Sequence, residues 1–180
     1  MLRHRWRLVR VGRRRLRLEA WAGDEPADGE LFQERLREAP FWMLVACSLV
    51  NLTTWSQARP VLDELLLLYP TPERLAEARP EDLHGLLRPL GLWRRRAISL
   101  VRMAQGWLLG TGPRGTMDIT RLPGCGKYAA DSWAIFVEGR TDVEPTDGKL
   151  SWYLRQLRSN QCPNKSWSPS TLPHPPPSTS

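Results

Sequence analysis

The segment richest in chemistry is Ile119-Thr120-Arg121-Leu122-Pro123-Gly124-Cys125-Gly126-Lys127-Tyr128-Ala129-Ala130-Asp131. Two glycines two positions apart, with a proline before them, predict a tight turn between two helices, because glycine accepts backbone geometry that other residues resist. Such a turn leaves amide N–H groups open at the start of the next helix. A phosphate oxygen can dock there, against aligned donors and the positive helix end. Lys127 adds a point charge at the same place. The plainer role is a glycine-rich connector, which a bare Gly-x-Gly would favour. The full run Leu122 to Lys127 is far more specific. Further on, Val143-Glu144-Pro145-Thr146-Asp147-Gly148-Lys149-Leu150 reads as a loop that delivers Asp147 to the N-terminus of the last helix. Asp147 could serve only as an N-cap. Its other role is a carboxylate held beside the hairpin, close to a bound strand.

These groups need a scaffold, and its pattern is helical. Asp28 or Gly29 opens a segment that places Leu31, Phe32 and Leu36 on one face. Pro40 suits a first helical position, where its missing N–H costs nothing. The run Phe41 to Val50 is apolar all round, as a central buried helix would be. Thr54 begins a helix with Ala58, Val61, Leu62, Leu65, Leu66 and Tyr69 facing inward. Thr71-Pro72-Glu73-Arg74 and Arg79-Pro80-Glu81-Asp82 each resemble a capped start, and Gly91 closes that pair. Arg94 to Leu109 gives a long amphipathic helix. An all-α domain of about eight helices is expected over residues 28–158.

The 180 residues carry 26 Lys and Arg against 19 Asp and Glu, a net charge of +7. Residues 1–20 hold eight arginines and one acid, Glu19, so the arm accounts for the whole excess and the body is neutral. An arm of this kind suits a polyanion. Residues 1–27 are read as an Arg-rich arm plus linker. The alternation around Leu16 and Leu18 permits a strand, but a flexible segment that orders on a partner is preferred. Residues 159–180 hold six prolines and six serines, so a disordered tail is expected.

Several classes are disfavoured. The longest apolar run is too short to span a bilayer, and arginines interrupt any signal-peptide core, so no membrane partner is expected. Cys47, Cys125 and Cys162 are too few for a disulfide framework and point to a reducing compartment. They also fall short of the four thiolates of an iron–sulfur cluster. His4, His84 and His174 lack metal-ligand spacing. Neither a metal nor another cofactor is expected.

The hairpin Leu122 to Lys127, followed by Asp147, resembles the helix-hairpin-helix DNA glycosylase superfamily. In that family the hairpin grips backbone phosphates and the aspartate is catalytic. Further matches are Gln33-Glu34, Asn51-Leu52-Thr53, Pro60-Val61-Leu62, Tyr69-Pro70, Leu87-Arg88-Pro89-Leu90-Gly91-Leu92, Gly126-Lys127-Tyr128, Asp131-Ser132 and Asp147-Gly148-Lys149-Leu150. They narrow the resemblance to the glycosylase domains of methyl-CpG-binding thymine-DNA glycosylases, over about residues 28–158. No methyl-CpG-binding module is expected within these residues.

The resemblance implies excision of thymine or uracil opposite guanine from double-stranded DNA, by a monomer. A mispaired base is the cheaper one to extrude. Cleavage leaves positive charge on the sugar, which an ionised Asp147 would stabilise while it orients or deprotonates water; Lys149 and the helix N-terminus would assist. Bifunctional relatives carry a Schiff-base lysine where this chain has Tyr128, so an enzyme without lyase activity is implied. Tyr128, Gln33 and Lys149 would form the base pocket. Leu122, Gly124, Gly126 and Lys127 would bind DNA phosphate. Leu92 matches the family's wedge, although a loop leucine is more often simply buried. Leu52 replaces an arginine of the family's Leu-Asn-Arg-Thr and would fill volume without pairing to phosphate or guanine. The nucleus is the expected location, with the mitochondrion as the alternative. A DNA- or chromatin-binding protein without catalysis, or a glycosylase of different base specificity, are the competing readings.

Overall fold

The computed structural model describes residues 7–11, 15–19, 31–110 and 118–160. Eight α-helices lie among them: α1 (Phe32–Leu36), α2 (Pro40–Leu49), α3 (Trp55–Leu68), α4 (Pro72–Ala76), α5 (His84–Leu87), α6 (Trp93–Leu109), α7 (Lys127–Phe136) and α8 (Gly148–Asn160). Short 3-10 turns cover Pro80–Leu83, Arg88–Leu90 and Ile119–Arg121. The all-α body expected from the apolar periodicity is the one observed. None of the described helices is long and apolar enough to cross a membrane.

The ends differ from expectation in two ways. Within the arm, β1 (Arg7–Val11) pairs antiparallel with β2 (Arg15–Glu19), placing Leu8 opposite Leu18 and Arg10 opposite Leu16. The backbone takes the strand option of the alternating pattern rather than an unpaired segment, because a period of two matches a pleated strand. At the other end α8 runs through Ser159 and Asn160, so the helix extends slightly past the boundary expected for the tail. The acidic linker before Leu31 and the tail beyond Asn160 lie outside the described residues.

Helix α2 is the hub. Every residue from Phe41 to Leu49 is buried, and Trp42, Met43, Leu44, Val45, Ala46 and Leu49 are fully so. Helices α1, α3, α6 and α7 pack around it. Local sequence sets where these helices begin. Pro40 occupies the first turn of α2. Thr54 caps α3 in a reciprocal box, with Gln57 N donating to Thr54 Oγ1 at 3.3 Å and Thr54 N donating to Gln57 Oε1 at 3.0 Å. Thr71 caps α4 by accepting from Arg74 N at 3.3 Å.

A second, smaller cluster positions the last helix. Leu150, Tyr153 and Leu154 share one face of α8 and bury against Ile135 of α7 and against Leu31. Each such side chain contributes about 1.5–3 kcal/mol on burial. This contact fixes the start of α8, and with it Asp147, relative to the hairpin that begins α7.

Candidate active site

The hairpin forms as the glycines foretell. Asp118 caps the 3-10 turn by accepting from Thr120 N at 3.1 Å. Leu122 is buried, and its carbonyl accepts from Cys125 N at 3.0 Å to close a tight turn. Gly124 has φ +82°, and a Cβ there would lie 2.8 Å from Ser48 Oγ of α2. Both the torsion and the close approach require glycine. Gly126 is different. Its φ is −92° and a Cβ would meet nothing within 4 Å, so neither torsion nor space demands glycine there. Gly126 starts α7 without a side-chain cap, which leaves the first-turn amides for solvent or an anion.

Lys127 departs from expectation. Its ammonium does not point free on the phosphate side. Nζ donates to both carboxylate oxygens of Asp131 and to the Glu144 carbonyl, each at 3.0 Å. Asp131 is buried, which explains the pairing: a carboxylate removed from water needs a cation close by. The lysine is therefore a strut between α7 and the loop that carries Asp147.

Asp147 is both a cap and a cleft residue. Oδ1 accepts from Lys149 N at 3.0 Å and from Leu150 N at 2.9 Å. Oδ2 has no donor among the described residues. One oxygen is thus pinned by backbone while the other stays available. The carboxylate lines a cleft of about 650 Å³ together with Lys149, Gly126, Tyr128 and Gln33. Lys149 itself is exposed at the rim.

The cleft floor is a buried polar network. Gln33 has no solvent exposure. Its Nε2 donates to Tyr128 Oη at 2.7 Å and to Ser132 Oγ at 3.2 Å, while Oε1 is buried with no partner. A lone buried acceptor costs about 1–3 kcal/mol, and Gln33 Oε1 carries that cost among the described residues. Burial pushes the Tyr128 phenol above its ordinary range, and the nearby Cys47 thiol adds to this. Burial likewise pushes Cys47 up to about 12, although the Ser132 hydroxyl opposes the rise. Both groups stay neutral at ordinary pH, and Cys47 is no nucleophile. Phe32 and Trp55 stack at 4.6 Å with planes 13° apart and form one wall.

Leu52 and Leu92 are presented rather than buried, at 83% and 56% exposure. Leu52 lines the cleft, and Leu92 stands at the N-cap of α6. The backbone around both is tied to Arg96, a residue the sequence reading passed over. Asp131 and Ser132 were noted only as a family match and Phe32 only as a helix-face residue, with no role in the cleft assigned to them or to Trp55. A signal for Arg96 exists. It falls on the stripe shared by Leu100, Met103 and Ala104, so it is the one arginine of Arg94-Arg95-Arg96 on the apolar face of α6.

A hairpin whose α7 amides are open, a capped carboxylate and a cleft between them define a class of nucleic-acid repair fold. The family model described as the HhH-GPD superfamily of base excision DNA repair proteins matches residues 49–165, and the chain belongs to that superfamily. Among curated relatives, the chain is 36% identical over 129 residues to the methyl-CpG-binding domain protein 4-like protein of Arabidopsis thaliana, covering 71% of this chain and 28% of that one. It is 37% identical over 94 residues to the thymine-DNA glycosylase of Aeropyrum pernix, covering 51% of this chain and 42% of that one. The chain thus spans less than half the length of either relative. The fold is shared with a thermostable thymine-DNA glycosylase (TM-score 0.53, 20% identity, 62% of this chain and 52% of that one). It is also shared with endonuclease III in a non-covalent DNA complex (TM-score 0.52, 22% identity, 66% and 56%).

Proposed function

We propose that the protein is a DNA N-glycosylase that hydrolyses the glycosidic bond of uracil or thymine mispaired with guanine and leaves an abasic site. The observation that carries this reading is the divided carboxylate of Asp147, a cleft residue whose Oδ1 is held by two backbone amides and whose Oδ2 has no donor among the described residues. Departure of the base leaves an oxocarbenium-like sugar. A fixed anion at that point stabilises the charge as it develops and needs no reorganisation to do so. The same oxygen can take a proton from the attacking water.

The floor supports an imide-bearing base. Gln33 Oε1 is an acceptor without a donor. A turn of the Gln33 amide toward the cleft would let this oxygen accept from the N3–H that uracil and thymine both present. Tyr128, held neutral, supplies a ring face and a hydroxyl. The open first-turn amides of α7 would receive a backbone phosphate. The mispair weakens the hold of the duplex on the target, which supplies part of the selection.

Hydrolysis without strand cleavage is part of this reading. Tyr128 offers no amine, and the Lys127 amine is occupied by three acceptors. The test is a duplex with one G·U or G·T mispair. Wild type should release the base, leave an alkali-labile site, and form no borohydride-trapped adduct. Asp147→Asn should bind the duplex and release the base about 1,000-fold more slowly. Binding without release by wild type would favour the non-catalytic reading, and release from other lesions alone would favour a different base specificity.

A further inference from the structure

Among the described residues, two that are not glycine hold a left-handed backbone: Leu52 at φ 62° and Leu92 at φ 49°. Both are leucines, and both expose most of their side chains. Each conformation is unfavourable for a residue that carries a Cβ. Each exposed leucine also forgoes the stabilisation that burial would give. Strained residues persist where the surroundings over-determine them.

Here one side chain does so. Arg96 is 7% exposed. Its Nε donates to the Gly91 carbonyl at 3.0 Å and its Nη2 to the Asn51 carbonyl at 2.6 Å. These are the carbonyls immediately before Leu92 and Leu52. The peptide groups that launch both leucines are therefore gripped by the two parallel N–H vectors along one edge of a single guanidinium. Nη1 donates to the Ser48 and Leu49 carbonyls at 2.9 and 3.3 Å, which anchors the fork on the C-terminal end of α2. Nη2 also reaches the Leu90 carbonyl at 3.4 Å.

We propose that Arg96 is a positioning residue that sets Leu52 and Leu92 as one rigid two-point wedge, which enters the base stack when DNA binds. This rests on the reading that the cleft receives an extruded nucleotide. Leu52 lines the cleft, so it stands where the base must pass. Leu92 comes from the other gripped loop. A wedge has to withstand the stack that it opens. A leucine on an untied loop would swing aside under that load. Arginine suits the task because its donors are fixed in a plane, whereas lysine has three donors on one flexible nitrogen and cannot bridge the same carbonyls.

The test separates wedge setting from chemistry. A duplex carries 2-aminopurine beside the G·U mispair, and its fluorescence is read at saturating protein, with no bond broken. Wild type and Asp147→Asn should raise it. Arg96→Lys should lose most of the rise, and its excision from the duplex should fall about 100-fold, the scale of a misplaced contact. Excision of uracil from a single strand, which has no stack to open, should change little. The double variant Leu52→Ala/Leu92→Ala, with Arg96 intact, should lose the fluorescence rise as Arg96→Lys does. An undiminished rise in Arg96→Lys, or equal loss on duplex and single strand, overturns the proposal. Failure of Arg96→Lys to give a cooperative melt also overturns it, since Arg96 would then serve stability alone. A fluorescence rise in wild type without base release leaves the wedge standing and removes the glycosylase.

Discussion

The two rims of the cleft are built by opposite means. On one rim the α7–α8 side presents a polar atom, Asp147 Oδ2, and secures it cheaply. Backbone amides hold the other oxygen, α8 docks through Leu150, Tyr153 and Leu154, and Lys127 ties the loop to α7. None of these contacts involves backbone strain. The opposite side presents Leu52 on the cleft and Leu92 from the neighbouring loop, two apolar side chains that would rather be buried, on backbone that would rather be right-handed. It needs a buried cation to keep them there. A polar working group can be held by the ordinary rules of helix capping. An apolar working group in water contradicts the folding rules, and the fold has to add a dedicated clamp.

The sharpest way to probe the first rim is to remove charge while keeping the cap. Asn accepts the same two amide hydrogen bonds, so Asp147→Asn should melt close to wild type. Its excision rate should nevertheless fall about 1,000-fold, the upper range for losing one preorganised electrostatic contact. Asp147→Ala should lose the same activity and about 1 kcal/mol of stability as well, because the cap goes too. Equal melting of the two variants would mean that Oδ1 caps nothing in solution.

The glycines of the hairpin offer the next contrast. Gly124→Ala forces a left-handed alanine onto Ser48 Oγ and should destabilise the fold by more than about 1 kcal/mol. Gly126→Ala has open space and an ordinary torsion, so thermal melting should barely move. Its added methyl stands beside the open amides of α7, so affinity for undamaged duplex should drop several-fold. If Gly126→Ala binds DNA as wild type does, phosphate docking at α7 is wrong. Of similar size, Lys127→Met should cost about 1–3 kcal/mol by leaving the Asp131 carboxylate without its cation. A calorimetric or urea melt would show it, and an unchanged melt would deny the strut.

The same contrast decides what could be read beforehand. The polar rim was legible, because capping and glycine chemistry are local: Asp147 lies next to the helix it caps, and Gly124 sits in the turn that needs it. The helices followed from apolar spacing for the same reason. The pairing of Lys127 was not legible because its partner Asp131 is one turn away but buried only by tertiary packing, which charge counting along the chain cannot reveal. The exposure of Leu92 ran against the usual fate of a loop leucine. Arg96 left a trace, a charge on an apolar stripe, but its role depends on carbonyls 45–48 positions away.

The smallest expected effect concerns pH and separates the floor from both rims. Cys47 has a folded value of about 12 against an ordinary 9.0, and Tyr128 is shifted upward from 10.0, both chiefly through burial. Below pH 9 each group keeps its proton whether the chain is folded or not, so neither affects stability there. Above that point the unfolded chain releases protons that the folded chain retains. Unfolding then gains from every further rise in pH, and stability must fall between about pH 9 and 12. Urea melts from pH 8 to 11 should show this decline, shallower in Cys47→Ala by up to one proton's worth of slope. The Leu52→Ala/Leu92→Ala variant should keep the full wild-type slope, since neither leucine titrates. An identical slope in Cys47→Ala would mean that the thiol is not buried beneath the cleft, and the dry floor on which the neutral Tyr128 depends would be lost with it.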